Sequence, residues 1–346
     1  MAVLFKGIVQ ITGEHDTGKT SWALGAGTSP KDICFIDDDI KGRNTVEEVG
    51  IGNFGLYIDL IRESKGMLET KLYTHCMDII TKRLPEFIKT KRNGVKFEVL
   101  IWDTWARFEN TIFPTVQKNP TKYREMYSAK GDIKGAQQWQ ASFDLEGEIM
   151  AGLEDVSDLV ILVSHLKADS LNGVKTGRLV PDAKRPLSQK CFFRVYLRHN
   201  PKSSEPIGII LKRPSRKRIV EGVGIETINI LPRKMQPFSW ERIKYFWENP
   251  VGNVSFLPDE QPDEYDMACL ENILTQQQMQ VFMESVSLVK MGITEETPLG
   301  EPDEKYFSEE DVERVKKMVR AENMKIPEVS RITGFSIPDI GKMLSR

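Results

Sequence analysis

The residues most able to do chemistry lie within the first twenty. Gly13-Glu14-His15-Asp16-Thr17-Gly18-Lys19-Thr20 has the spacing G-x-x-x-x-G-K-T. It follows an apolar run, Gly7-Ile8-Val9-Gln10-Ile11-Thr12, and precedes the helix-forming Ser21-Trp22-Ala23-Leu24. This is a phosphate-binding P-loop in its required strand–loop–helix setting. Two glycines let the backbone wrap an anion with no side chain in the way. The amides of Gly18, Lys19 and Thr20 then point at the phosphate along the dipole of the following helix, with Glu14, His15, Asp16, Thr17 and Ser21 lining the same loop. Lys19 is expected to reach the β- and γ-phosphates, and the Thr20 hydroxyl to ligate Mg²⁺. The chain is therefore expected to bind a nucleoside triphosphate.

Three further clusters end apolar strands. Asp32-Ile33-Cys34-Phe35-Ile36 runs into Asp37-Asp38-Asp39, and Asp39 is the candidate general base for an attacking water; an acidic turn capping the next segment is the competing reading. Phe97-Glu98-Val99-Leu100-Ile101-Trp102 ends in Asp103-Thr104, a Walker B pattern in which Asp103 supports the Mg²⁺ shell. Leu159-Val160-Ile161-Leu162-Val163 ends in Ser164-His165, which places His165 as a candidate sensor beside the γ-phosphate; a structural histidine is the competing reading. The most basic run, Lys212-Arg213-Pro214-Ser215-Arg216-Lys217-Arg218, offers phosphate contacts, either to DNA or across a subunit interface; a solvated loop is its bland reading.

The elements that position these groups read as α/β. Residues 64–93 have helical apolar spacing, closed by 89–93 with Gly94 in the turn. The stretch 105–145 interleaves Trp105, Phe108, Phe113, Tyr123, Tyr127, Trp139 and Phe143 with lysines and arginines. Such a pattern suits either a helix packing its aromatics inward or stacking on single-stranded nucleic acid, with 119–135 as the loop to make the contact. Phe192–Arg198 and Ile207–Lys212 alternate like strands, and Ile243–Trp247 reads as a helix packing back on the core. The expected domains are a core over 1–253, an acidic linker and helical segment over 254–305, and a small helical C-terminal domain over 306–346. In the last, 308–323 reads as one helix and 327–344 as helix, glycine turn, helix, the outline of a helix-turn-helix; three short helices burying a small core of their own would look the same.

Composition narrows the class. Hydrophobic residues make up 40% of 346, enough for a sizeable core, with no apolar run long enough to span a membrane. Met1–Phe5 runs straight into the first strand, so no secretory leader is expected. Cys34, Cys76, Cys191 and Cys269 are widely spaced, which excludes a C-x-x-C metal site and points to a reducing, cytoplasmic setting. The net charge of −2 conceals segregation: Arg194–Arg218 holds eight basic residues and one acid, Asp259–Asp311 fifteen acids and two lysines. Separate partners for the two regions are expected.

With these residues in place, the chain resembles the RecA-like P-loop ATPases of bacteriophages, including single-strand-annealing recombinases. The resemblance covers about residues 5–250 and rests on Gly13–Thr20, Asp37–Asp39, Asp103 and Ser164-His165. Gly177, Pro181-Asp182, Lys184 and the closure from Pro237 to Trp240 add to it. It implies a RecA-like core with a mostly parallel sheet flanked by helices and a small helical C-terminal region. It also implies a homo-oligomer with ATP at subunit interfaces, and ATP- and Mg²⁺-dependent work on single-stranded DNA in phage-type recombination or replication. Where RecA-like proteins carry a catalytic glutamate, this chain has Asp39, one methylene shorter. A nucleotide-switched module with little turnover, engaging a protein partner through the acidic C-terminal region, is the alternative; a small-molecule kinase ranks last for want of a lid.

Overall fold

A computed structural model describes residues 6–39, 43–124, 132–171, 174–181, 190–200, 203, 205–220, 224–229, 231–248, 261–274, 279–280, 282–283, 313 and 316–321, with side chains at 168–189 and 215–230 outside the description. The chain divides into two compact units, Met1–Ile293 and Thr294–Arg346.

The first unit is built on a nine-stranded sheet. Its strands are β1 (Gly7–Gly13), β2 (Ile33–Asp37), β3 (Leu56–Asp59), β4 (Phe97–Asp103), β5 (Ser157–Leu171), β6 (Val174–Pro181), β7 (Phe193–Arg198), β8 (Ile207–Lys212) and, far along the chain, Lys234–Met235. From the edge at Lys234–Met235 the order is β8-β7-β1-β5-β4-β2-β3, with β6 pairing the outer part of β5. β7, β1, β5, β4, β2 and β3 are all parallel, while β8 and β6 are antiparallel to their neighbours. Two further strands, β9 (Ser215–Val220) and β10 (Gly224–Asn229), form a separate antiparallel ribbon.

A parallel sheet is covered on both faces, so its strands read as mostly apolar runs, with Gln10, Thr12, Glu98 and Arg194 among the exceptions. Successive residues feed two different cores. Ile8, Cys34, Ile36, Leu100, Trp102, Val160 and Leu162 belong to one. Val9, Ile11, Ile33, Phe35, Val99, Ile101, Ile161 and Val163 belong to the other. Helices Glu69–Asp78, Trp105–Lys118 and Ala136–Val156 cover the first face through residues such as Leu72, Phe108 and Leu153. The helix after the P-loop (α1, Lys19–Leu24) and Trp240–Glu248 cover the second through Trp22, Trp240 and Ile243. This is the α/β architecture expected of a RecA-like P-loop core.

Several expectations shift. The helix expected over 64–93 begins at Glu69, because Gly66 turns the chain with φ +77°. It widens to an i→i+5 turn at Ile79–Arg83 before resuming at Leu84–Lys91. Pro85 lies at the start of that second piece, where its missing N–H and its ring disfavour the regular ladder. Of the interleaved aromatics, Trp105, Phe108 and Tyr123 are buried, so the packing reading holds for them. Phe113 and Trp139 stack on each other at 3.9 Å, and Trp139 stays 44% exposed. Tyr127 and the middle of the 119–135 loop lie outside the described residues.

The expected boundary at 253/254 falls inside the first unit. Helix Glu264–Ile273 packs Leu270 and Ile273 with Leu274 and Phe282 onto Tyr196, Ile207 and Ile209 of β7 and β8. In the second unit Lys317–Ala321 is helical; the outlined helix-turn-helix over 327–344 lies outside the described residues.

Candidate active site

The parallel register brings the chemistry together. Gly13 pairs with His165, Asp37 with Asp103, and Asp103 with Val163. The carboxyl ends of β1, β2, β4 and β5 therefore converge on one crevice, the place where open α/β sheets bind ligands.

The two P-loop glycines are needed for different reasons. A Cβ on Gly13 would stand 2.2 Å from the Leu197 carbonyl oxygen, so Gly13 permits close passage of β7. Gly18 sits in the left-handed region at φ 74°, ψ 23°, and opens α1. Asp16 is also left-handed, at φ 58°, an uncommon state for a residue with a Cβ. The Thr17 hydroxyl donates to the Glu14 carbonyl at 2.9 Å and fixes the loop from within.

Lys19 folds back, its Nζ donating to the carbonyls of Gly13 (3.3 Å) and Glu14 (2.5 Å). Burial lowers its pKa, against the opposing pull of Asp103, Asp39, Asp16 and Glu14. The Thr20 hydroxyl donates to Asp103 Oδ2 at 2.5 Å, joining the two Walker positions. Asp103 is 1% exposed, and burial raises its pKa against the Thr20 hydrogen bond. Its other oxygen, Oδ1, is buried with no hydrogen-bond partner among the described residues.

The acidic triplet divides its labour. Asp37 accepts from the Tyr57 hydroxyl and from the Asp39 amide. Asp38 is an ion-pair partner of Arg107 at 2.5 Å, yet burial pushes its carboxyl up to about 6. Asp39 turns toward the P-loop, where Oδ2 meets His165 Nε2 at 3.1 Å. Asp39, Thr45, His165, His15, Ser21 and the loop itself enclose a cavity of about 80 Å³. The His165 ring stacks on His15 at 5.3 Å between centroids. Ser164, by contrast, is fully buried.

A second, larger cavity of about 450 Å³ flanks the loop at Asp16, Thr17, Gly18 and Ser21. One wall is aromatic: Trp22 stacks on Phe238 at 4.9 Å and on Trp240 at 4.3 Å. Arg198, His199 and Asn200 also line the cavity.

Sequence reasoning missed the β7 brace of the P-loop. Glu14 Oε1 accepts from the Tyr196 hydroxyl at 3.1 Å and Oε2 from the His199 amide at 3.3 Å. His199 Nε2 meets the His15 carbonyl oxygen at 2.9 Å. The available signal was a strand ending Tyr196-Leu197-Arg198-His199-Asn200, polar where a buried strand stops.

Neither Lys212 nor Arg213 is among the described residues lining the two cavities by the P-loop. Lys212 stands opposite Arg194, which stands opposite Gln10, three residues before Gly13. Burial lowers the pKa of Lys212 and brings that of Arg213 down to about 10. Arg216, Lys217 and Arg218 lie on β9 of the separate ribbon.

A family model described as an AAA domain matches residues 6–184. Among solved structures, the RadB recombinase is 16% identical with a TM-score of 0.34, over 65% of this chain and 89% of that one. The flagellar accessory protein FlaH from Methanocaldococcus jannaschii is 11% identical with a TM-score of 0.31, over 64% and 90%. No curated protein matches the chain. Among the described residues no helix is long and apolar enough to cross a membrane.

Proposed function

We propose, since the chain belongs to the AAA-domain family and is a nucleotide-binding P-loop ATPase, that it hydrolyses ATP with Mg²⁺ and acts on single-stranded DNA in recombination or replication of the phage type. The observation that carries the reading is the hydrogen bond from Thr20, on the P-loop helix, to Asp103, at the end of β4, beside the Asp39–His165 pair. Mg²⁺ fits the residues present: the unpartnered, buried Oδ1 of Asp103 lies on the carboxylate that also holds the Thr20 hydroxyl. When bound, the ion neutralises charge on the β- and γ-phosphates.

The chain's own groups supply the rest. Lys19 exchanges its two loop carbonyls for phosphate oxygens, a favourable trade for a charge already held in a partly desolvated site. Asp39 orients the attacking water and accepts its proton, and His165 holds Asp39 in place through Nε2. The base of the nucleotide occupies the larger cavity beside the loop, against the edge of the Trp22, Phe238 and Trp240 cluster, with His199 and Asn200 among its polar neighbours. Lys212 ends β8, Arg213 follows it, and Arg216, Lys217 and Arg218 lie on β9. They serve DNA phosphates, or ATP held by a neighbouring copy in a homo-oligomer. The acidic region beyond residue 254 engages a protein partner, and the protein works in the cytoplasm.

ATP hydrolysis measured with and without single-stranded DNA, at two salt concentrations, tests the reading. Stimulation by DNA that weakens with salt and falls by about 10²–10³ in Lys19→Ala supports it. A flat, near-zero rate despite tight ATP binding refutes turnover and leaves the nucleotide-switched module.

A further inference from the structure

We propose that Asp39, Asp103 and His165 form a divalent-cation site that uses the imidazole as a ligand, fills without nucleotide, and prefers Mn²⁺ or Co²⁺ to Mg²⁺. The site's role rests on the nucleotide-site reading above; the binding itself does not.

One ligand atom from each of the three residues lies within 4.8 Å of the other two. Asp103 ends β4, Asp39 lies two residues beyond β2, and His165 lies within β5 opposite Gly13, all on neighbouring strands of a parallel sheet, so the backbone holds them close before any ion arrives. His165 Nε2 and Asp39 Oδ2 stand 3.1 Å apart. Two ligands at right angles around an ion, each with a bond of about 2.1 Å, are separated by about 3 Å. The pair is therefore already at ligand spacing, and an ion would replace the proton they share.

Asp103 supplies an independent indication. Its side chain is 1% exposed, and Oδ1 has no donor among the described residues. A buried carboxylate oxygen left unpaired is costly, and a cation relieves it. The open side of the site is formed by Asp39 and His165, whose side chains are 15% and 24% exposed, which gives an ion a way in. The opposing charge, Lys19, is turned onto the carbonyls of Gly13 and Glu14.

The donor set decides which ion. Two carboxylate oxygens attract any divalent cation, but Mg²⁺ prefers all-oxygen octahedra and keeps its waters. An imidazole nitrogen favours later first-row metals, with affinity rising from Mn²⁺ to Co²⁺ and beyond. In the nucleotide-free site Asp39 and His165 are ligands; the water-orienting role given to this pair above belongs to the ATP- and Mg²⁺-bound state, and the two states exclude each other.

The test uses the full, untagged chain with no nucleotide. Mn²⁺ titrated against it, followed by loss of the free-ion electron paramagnetic resonance signal, is expected to show one site per chain, at least ten-fold tighter than Mg²⁺ measured by competition. His165→Gln is expected to weaken Mn²⁺ at least ten-fold and Mg²⁺ less than three-fold. Electron spin echo modulation on the wild-type Mn²⁺ complex is expected to show the ¹⁴N coupling of a directly bound imidazole. That readout stands even if a variant fails to fold. No binding without nucleotide, a missing ¹⁴N coupling, or a His165→Gln chain that binds Mn²⁺ within two-fold of wild type would overturn the assignment. ATP binding that depends on Lys19 is scored separately, so either reading can fail while the other stands.

Discussion

Asp266→Ala isolates the contact that fastens helix Glu264–Ile273 to the core. The Asp266 side chain is fully buried and accepts from Arg198 at 2.5 Å and from Lys234 at 2.7 Å, themselves only 4% and 7% exposed. It also closes a capping box with Asp263, accepting the Asp263 amide at 3.0 Å. Removing one member of a buried ion pair costs about 3–5 kcal/mol, because the partner charge stays desolvated. Losing the cap adds about 1 kcal/mol. Lys234 keeps Asp263 at 2.7 Å, which offsets part of the loss, so about 4 kcal/mol is expected. Against a total of about 5–15 kcal/mol, that is a large share. The assay is urea denaturation followed by far-ultraviolet circular dichroism, with the thermal midpoint as a second measure. The double variant Arg198→Met with Asp266→Leu removes both charges and is expected to be more stable than Asp266→Ala alone. A single-variant loss under 1 kcal/mol, or a double variant no better than the single, would refute the reasoning.

Other expectations follow from the same site. Gly13→Ala forces a methyl group against the Leu197 carbonyl and is expected to cost about 1–3 kcal/mol and to weaken ATP binding, read by calorimetry. Gly18→Ala meets nothing within 4 Å and pays only the left-handed strain, about 1 kcal/mol. Asp38, pushed up to about 6 by burial in spite of Arg107, holds its proton more tightly folded than unfolded. Its ionisation therefore opposes folding, and stability should fall as pH rises from about 4 to about 6, by no more than about 3 kcal/mol. Asp38→Asn should flatten that stretch of the stability–pH curve; an unchanged slope would count against it.

What could be read from the sequence was local. The P-loop, the strand ending at Asp103 and the apolar run up to His165 each announce themselves within a dozen residues, and parallel pairing then places them together, although β5 runs on past His165 to Leu171 where it pairs with β6. β3 went unseen because four residues, Leu56–Asp59, carry too little pattern and follow a glycine-containing turn. The Glu14 brace and the Arg198–Asp266 contact join residues 182 and 68 positions apart, and no local window contains both ends. Segregated charge also misled. The acids from Asp259 onward suggested a separate linker, yet Asp263 and Asp266 are spent on basic residues of the core, while Leu270 and Ile273 supply the apolar contact. Alternation of aromatic and basic residues at 105–145 left two outcomes open; Trp105 and Phe108 went inward because they recur at helical spacing on the face of Ile112 and Val116.

The indoles of Trp22 and Trp240 lie nearly parallel, 20° apart with centroids at 4.3 Å, and the Trp240 indole N–H donates to the Trp22 carbonyl at 2.7 Å. Rings so close share their excited states, and the sign and size of the resulting circular dichroism couplet depend on the angle between them. Trp22 is two residues beyond Thr20 on the short helix that begins with Lys19, whereas Trp240 begins a helix more than two hundred residues later. Any tilt of the P-loop helix against the rest of the core changes that angle. The fold thus carries its own optical goniometer, readable without a label, between the P-loop helix and helix Trp240–Glu248.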